Sequence, residues 1–318
     1  MAVFTATLEQ TAFLLSFIVL GYILTRWKFV QENAQAVLSR LENCVFIPAL
    51  VLGTFIGNFT TDKLSSAWKL FLGSFLLGLV AIVLALLCAR LCARLCGRSK
   101  YERDIYTYGL SFSNFGFMGN AVVSALFPDI FMEYLIFTLP LWTMIYLWGV
   151  PVLLLGDGTE KPTFRQRLKS FKNPMLACTL LGMVIGLLAI PVPGFLSSAV
   201  TAAGNCMSPV AMLLTGMTIA KSELGQILKI RGVYVATFLR LLVFPLLFMG
   251  VMLLIPFPEV FATCAVCSLA MPLGLNTIIV PSGLGKDTKV ASGMALVSHI
   301  LSCVTIPLIF MLYGYLGR

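Results

Sequence analysis

The chain has 318 residues, 59% of them hydrophobic and 11% charged, with a net charge of +9 and a mean hydropathy of +0.97. Such proportions exclude a water-soluble protein and leave too little polar surface for a separate soluble domain, so the class is a polytopic α-helical membrane protein. The positive balance comes from loop lysines and arginines, and nucleic-acid binding is not expected.

A span needs about 20 mostly apolar residues. Ten stretches qualify, near 6–26, 36–57, 67–90, 104–127, 131–155, 174–191, 195–219, 232–255, 259–283 and 290–314. The N-terminus has neither the basic region nor the cleavage site of a secretory signal, so the first stretch reads as a retained helix. Basic residues concentrate in alternate loops: Arg26, Lys28 and Arg40 in the first, Arg90 to Arg103 in the third, Lys161 to Lys172 in the fifth, Lys221 to Arg231 in the seventh, and Lys286 and Lys289 in the ninth. The remaining loops carry little beyond Lys63 and Lys69. Because cytoplasmic loops are enriched in Lys and Arg, this predicts ten helices in the cell membrane with both termini outside.

The fourth span is weak where it should be strong. Ser111-Phe112-Ser113-Asn114-Phe115-Gly116-Phe117-Met118-Gly119-Asn120 packs glycine, serine and asparagine into a segment meant for hydrocarbon. Glycine lowers helix propensity and asparagine competes for backbone hydrogen bonds, so the helix is expected to break there. A break survives at membrane depth only inside protein or along a cavity. A second weak point runs from Met271 to Gly285 in the ninth span and includes Pro272, Gly274, Asn276 and Thr277. Gly119-Asn120-Ala-Val-Val-Ser and Leu275-Asn276-Thr-Ile-Ile-Val align by residue type.

The fifth loop, 156–173, is the one extended polar connector and falls at the midpoint. On either side, Asn43-Cys44 with Pro48 in the second span parallels Asn205-Cys206 with Pro209 in the seventh. Five spans per half require opposite topologies. The expected fold is therefore two inverted five-helix repeats, residues 1–155 and 174–318, joined by a basic cytoplasmic linker, with broken helices 4 and 9 in equivalent places.

Nine cysteines are scattered through the apolar segments. Cys264 and Cys267 form a C-x-x-C, but with one histidine in the chain this fits no zinc spacing, and neither a metal site nor a disulfide is assigned. Paired carboxylates, a nucleophile–base dyad and a phosphate loop are also wanting, which argues against an enzyme. Charged residues within spans are few, and each needs a partner or a purpose. Glu42 lies close enough to the cytoplasmic end of its helix to be solvated. Arg240 either snorkels to the interface or attracts an organic anion. His299 is a candidate for proton coupling or a hydrogen bond to a neighbouring helix.

Taken together, Ser113 to Asn120, the Asn-x-x-x-x-Pro of the second span, and Met271-Pro272 with Asn276 resemble the auxin efflux carrier family, whose fold is similar to that of the bile acid/sodium symporters. The family usually has a proline in the fourth-helix break; this chain has none there. The resemblance implies a scaffold from helices 1, 2, 6 and 7, a transport domain from helices 3–5 and 8–10, a homodimer, and elevator-like transport of an organic anion bound where helices 4 and 9 cross. The candidates for that site are Asn114, Gly116, Gly119, Asn120, Pro272, Gly274, Asn276 and Thr277, with Asn43 and Asn205 facing it from the scaffold. Ser111, Ser113, His299 and Arg240 are candidates for ion or proton coupling, with sodium or a proton as the coupling ion and no other cofactor. Restarting helix N-termini favour anions, while asparagine oxygens and freed carbonyls suit a cation, so the residues leave both open.

Overall fold

The computed structural model describes residues 2–96, 99–154, 174–221, 223–283 and 286–316, so the expected linker at 156–173 lies outside the described residues. Among the described residues every regular element is a helix. The elements that matter for the site are α1 (Ala2–Arg26), α2 (Ala34–Asn58), α3 (Leu64–Cys96), α4 (Lys100–Ser111), α5 (Phe115–Leu126), α6 (Pro128–Leu154) and α7 (Pro174–Leu187). They continue with α8 (Gly194–Ala220), α9 (Arg231–Leu254), α10 (Glu259–Leu269), α11 (Asn276–Gly283) and α12 (Lys289–Leu316). Among the described residues 7 helices are long and apolar enough to cross a membrane: α1, α2, α3, α6, α8, α9 and α12. The apolar helices α5, α7 and α10 are shorter.

Several helices carry a wide turn, and prolines account for three of them. Proline has no N–H and its ring clashes with the carbonyl four residues back, a conflict an extra residue in the turn relieves. In α2 the amide of Ile47, just before Pro48, donates to the carbonyl of Glu42 five residues back. In α9 Phe244, just before Pro245, donates to Leu239 in the same way. The wide stretch Ile145–Leu154 at the end of α6 contains Pro151.

Two packing groups follow from small residues. Helix α1 lies so close to α8 that a Cβ on Gly216 would sit 1.9 Å from the Ile18 carbonyl oxygen. Helices α7 and α8 both pack on α2. Without a hydrophobic drive between helices in lipid, such close backbone approach supplies the cohesion. The second group is α3 with α4 and α6, and α9 with α3 and α12. Between α4 and α5, and between α10 and α11, the helical chain breaks, and these breaks meet inside the second group.

Candidate functional site

Each break is a short extended stretch, and the two pair with each other. Helix α4 ends at Ser111; Phe112 is extended at φ −119° and ψ 113°, and its amide still reaches back to Tyr108. Ser113 then faces Leu273 in an antiparallel bridge. The amide of Asn114 donates to the Pro272 carbonyl at 2.8 Å, and that of Gly274 donates to the Phe112 carbonyl at 3.1 Å. Buried backbone groups need partners, and each break supplies the other's. This pairing also explains Gly274, where a Cβ would lie 2.5 Å from the Phe112 oxygen.

One cation holds both halves. Arg240 of α9 is 1% exposed, and its guanidinium donates to Leu110 at the end of α4 (3.2 Å), to Ser268 at the end of α10 (3.2 Å) and to Met271 in the second break (3.4 Å). A helix C-terminus carries partial negative charge and unpaired carbonyls, so a shared guanidinium answers both ends at once. The expectation of snorkelling is overturned: the side chain is enclosed, because carbonyls freed by the two breaks lie within its reach.

The side chains divide into satisfied and unsatisfied groups. Ser113 donates to the Ser268 carbonyl at 2.7 Å, Thr277 to the Gly274 carbonyl at 2.7 Å, and the Asn276 amide to the Tyr108 hydroxyl at 3.0 Å. His299 Nδ1 lies 2.8 Å from the Ala295 carbonyl, which can only accept, so Nδ1 carries the hydrogen. Nε2 is then the acceptor for the Asn114 amide at 2.9 Å. By contrast Ser111 Oγ, Asn114 Oδ1 and Asn120 Oδ1 are buried without a hydrogen-bond partner among the described residues.

Asn120 and Asn276, aligned by residue type, do not occupy equivalent places. Asn276 opens α11, whereas Asn120 lies more than a turn into α5. The wide turn Phe115–Gly119, in which Gly119 donates to Asn114, intervenes. Asn114, beside Pro272, is the asparagine at the first break. Gly116 and Gly119 are needed for close approach: a Cβ would fall 2.3 Å from the Trp142 ring and 2.2 Å from the Tyr134 hydroxyl.

On the first packing group, Asn43 and Asn205 are both exposed, and the Asn43 amide donates back to Ser39 at 2.7 Å. From α8, Ser208 donates to the Phe117 carbonyl at 2.9 Å. Tyr108, Trp142 and Tyr134, whose hydroxyl donates to the Phe115 carbonyl, also build the site. A buried hydroxyl in an apolar span needs a partner, and that was the available signal for the tyrosines. The cavity among Tyr108, Ser113, Asn114, Trp142 and Asn276 is about 10 Å³, room for roughly one water.

Broken helices paired inside a bundle of long apolar helices define a multi-pass membrane protein of the transport class. A family model described as membrane transport protein matches residues 6–310, and the chain belongs to that family, the auxin efflux carrier family. No curated protein matches the chain.

Proposed function

We propose that the protein is a secondary transporter of a small organic anion, either an auxin-like monocarboxylate or a dicarboxylate such as malate or malonate, bound beside the crossed breaks. In this reading α4 with α5 and α10 with α11 each count as one broken span, giving ten spans as two inverted repeats with both termini outside. Helices α1, α2, α7 and α8 are the scaffold and the remainder is the carrier that moves in an elevator-like step.

The observation that carries the anion reading is the meeting of two helix starts, α5 and α11, one either side of the Ser113–Leu273 bridge. First-turn amides lack intrahelical acceptors and carry partial positive charge, which suits a carboxylate. Arg240 answers the opposing C-termini, so negative ends do not cancel that field. The 10 Å³ cavity is too small for any of these anions, so binding requires the crossing to open, on the face where Ser208 touches α5. A second reading, sodium-coupled symport of a larger anion, is favoured by the unpartnered oxygens of Ser111, Asn114 and Asn120.

The test is thermal stability of the reconstituted protein across a panel of carboxylates, with and without sodium, in wild type and Asn114→Ala/Asn276→Ala. A carboxylate at 100 times its dissociation constant stabilises wild type by about 2.7 kcal/mol, and the double variant loses that shift. Stabilisation by sodium alone selects the second reading. A panel that leaves wild type unmoved removes the anion assignment.

A further inference from the structure

Helix α9 packs on α3 through its first part, Arg231–Phe238. Its second part, Phe244–Leu254, instead forms one wall of a groove of about 680 Å³, with α3 opposite and α10 behind. That size falls within the range of small-molecule sites, about 300–1,000 Å³. Leu76, Val80, Leu247 and Val251 on its rim are exposed, and in a bilayer that rim faces lipid. Within the groove α3 and α10 approach closely, since a Cβ on Gly73 would lie 2.6 Å from the Phe261 ring.

Polarity is confined to one end. Among the described lining residues the polar side chains are Ser66, Lys69 and Glu133. They sit in the first two turns of α3 and α6, and the Lys63–Glu133 ion pair at 3.0 Å sets those two helix starts side by side. Away from that end the lining is aliphatic and aromatic, with Phe248, Phe257 and Phe261 in a row at centroid spacings of 5.8 and 5.5 Å. Leu269 lines the deep end, about 15 Å along α10 from Glu259 at 1.5 Å per residue. This matches the hydrocarbon depth of one leaflet, half of about 30 Å. Along α3 the groove runs on to Leu84.

We propose that this groove binds one zwitterionic phospholipid, phosphatidylethanolamine, with an acyl tail along the phenylalanine row and the headgroup at the polar end. The lipid phosphate is the counter-charge for Lys69. The primary ammonium donates to the Glu133 carboxylate, whose Oε1 holds Lys63. A headgroup of one sign meets one of these two lining charges and is opposed by the other. A neighbouring apolar helix answers neither. The tail also reaches the crossing from behind: Phe244 lines the groove with its ring centroid 5.8 Å from the Arg240 guanidinium carbon. Leu269 follows Ser268, whose carbonyl accepts from Arg240. A filled groove therefore packs against the residues beside the shared guanidinium, independently of what the crossing binds.

The test is native mass spectrometry of the full chain in detergent, incubated with phosphatidylethanolamine, phosphatidylcholine or phosphatidylglycerol of matched tails. Wild type is expected to retain one phosphatidylethanolamine in preference to the other two. Lys69→Gln weakens that retention roughly fivefold, the effect of one basic residue beside lipid phosphate. Glu133→Gln narrows the preference over phosphatidylcholine by roughly two- to fivefold, because a quaternary ammonium has no N–H to donate. Val80→Trp/Leu247→Trp fills the groove from both walls and abolishes retention. Val83→Trp, on an exposed part of α3 outside the groove, leaves it unchanged. Equal retention of the three lipids by wild type overturns the site, as does equal loss in Val83→Trp and the filled variant. A filled variant that keeps the lipid but changes its subunit number gives the groove to a second copy of the chain and overturns the proposal. If the filled variant does not fold, Lys69→Gln and Glu133→Gln decide it, and lipid preferences unchanged in both overturn it. No carboxylate substrate enters the measurement, so failure here is distinct from failure of the anion reading.

Discussion

The first break, Phe112–Asn114, and the second, around Pro272, do the same structural job with different chemistry. The second uses a proline, which brings no amide of its own and offers its carbonyl to Asn114. Its polar side chains are settled, with Thr277 on Gly274 and Asn276 on Tyr108. At the first break the chain departs from the helix without proline, then regains it through a wide turn of two glycines. Around that break three buried polar atoms, on Ser111, Asn114 and Asn120, have no partner among the described residues. Each such atom carries a desolvation penalty of about 1–3 kcal/mol. One break is finished as structure, and the other is left with unused hydrogen-bonding capacity.

The largest perturbation of this comparison is one that damages both breaks together. Arg240→Met strands the Leu110, Ser268 and Met271 carbonyls, with an expected loss on the order of 3–5 kcal/mol. Arg240→Lys recovers only part, because an ammonium lacks the planar fork. Thermal melts of the detergent-solubilised variants read this directly. Next, Gly274→Ala drives a methyl group against the Phe112 oxygen and should cost about 1–3 kcal/mol. Equal stability of Gly274→Ala and wild type would mean that the bridge contributes nothing.

A subtler effect separates the breaks. Gly119→Ala collides with the Tyr134 hydroxyl, so Tyr134→Phe in the same chain should relieve part of the damage, with a coupling of about 0.5–3 kcal/mol in a double-mutant cycle. Strict additivity would contradict the observed packing. The smallest expected effect on stability and the most informative for ligand binding is Asn114→Ala compared with Asn276→Ala. The former should reduce sodium stabilisation more, because the unpartnered Asn114 oxygen can coordinate a cation and cannot donate to a carboxylate, and the reverse order would move the cation to the second break.

Glycine, asparagine and proline inside apolar spans made both breaks legible, because each residue type opposes a helix for a local reason. The register was not legible. Aligning Asn120 with Asn276 assumes equal spacing on both sides, and the wide turn Phe115–Gly119 consumes the difference. Arg240 was equally hidden: its three acceptors are backbone carbonyls, 28, 31 and 130 residues away in sequence, and a carbonyl has no residue letter. Glu42, expected to be solvated, is 0% exposed: distance along a helix measures depth from that helix's end and says nothing of neighbours lying across it. Family membership was readable from the motifs, since they cluster where the backbone is most constrained.

The shared guanidinium has a mechanical consequence. Three donors on one planar group, together with the two backbone hydrogen bonds of the bridge, fasten α4 and α10 to a single hub, so the ends of the four half-helices cannot separate without breaking several bonds at once. Against α8, the same region is held through Ser208 by one hydroxyl on the Phe117 carbonyl. Parting this region from α8 costs that hydrogen bond, whereas parting the two halves of the hub costs several.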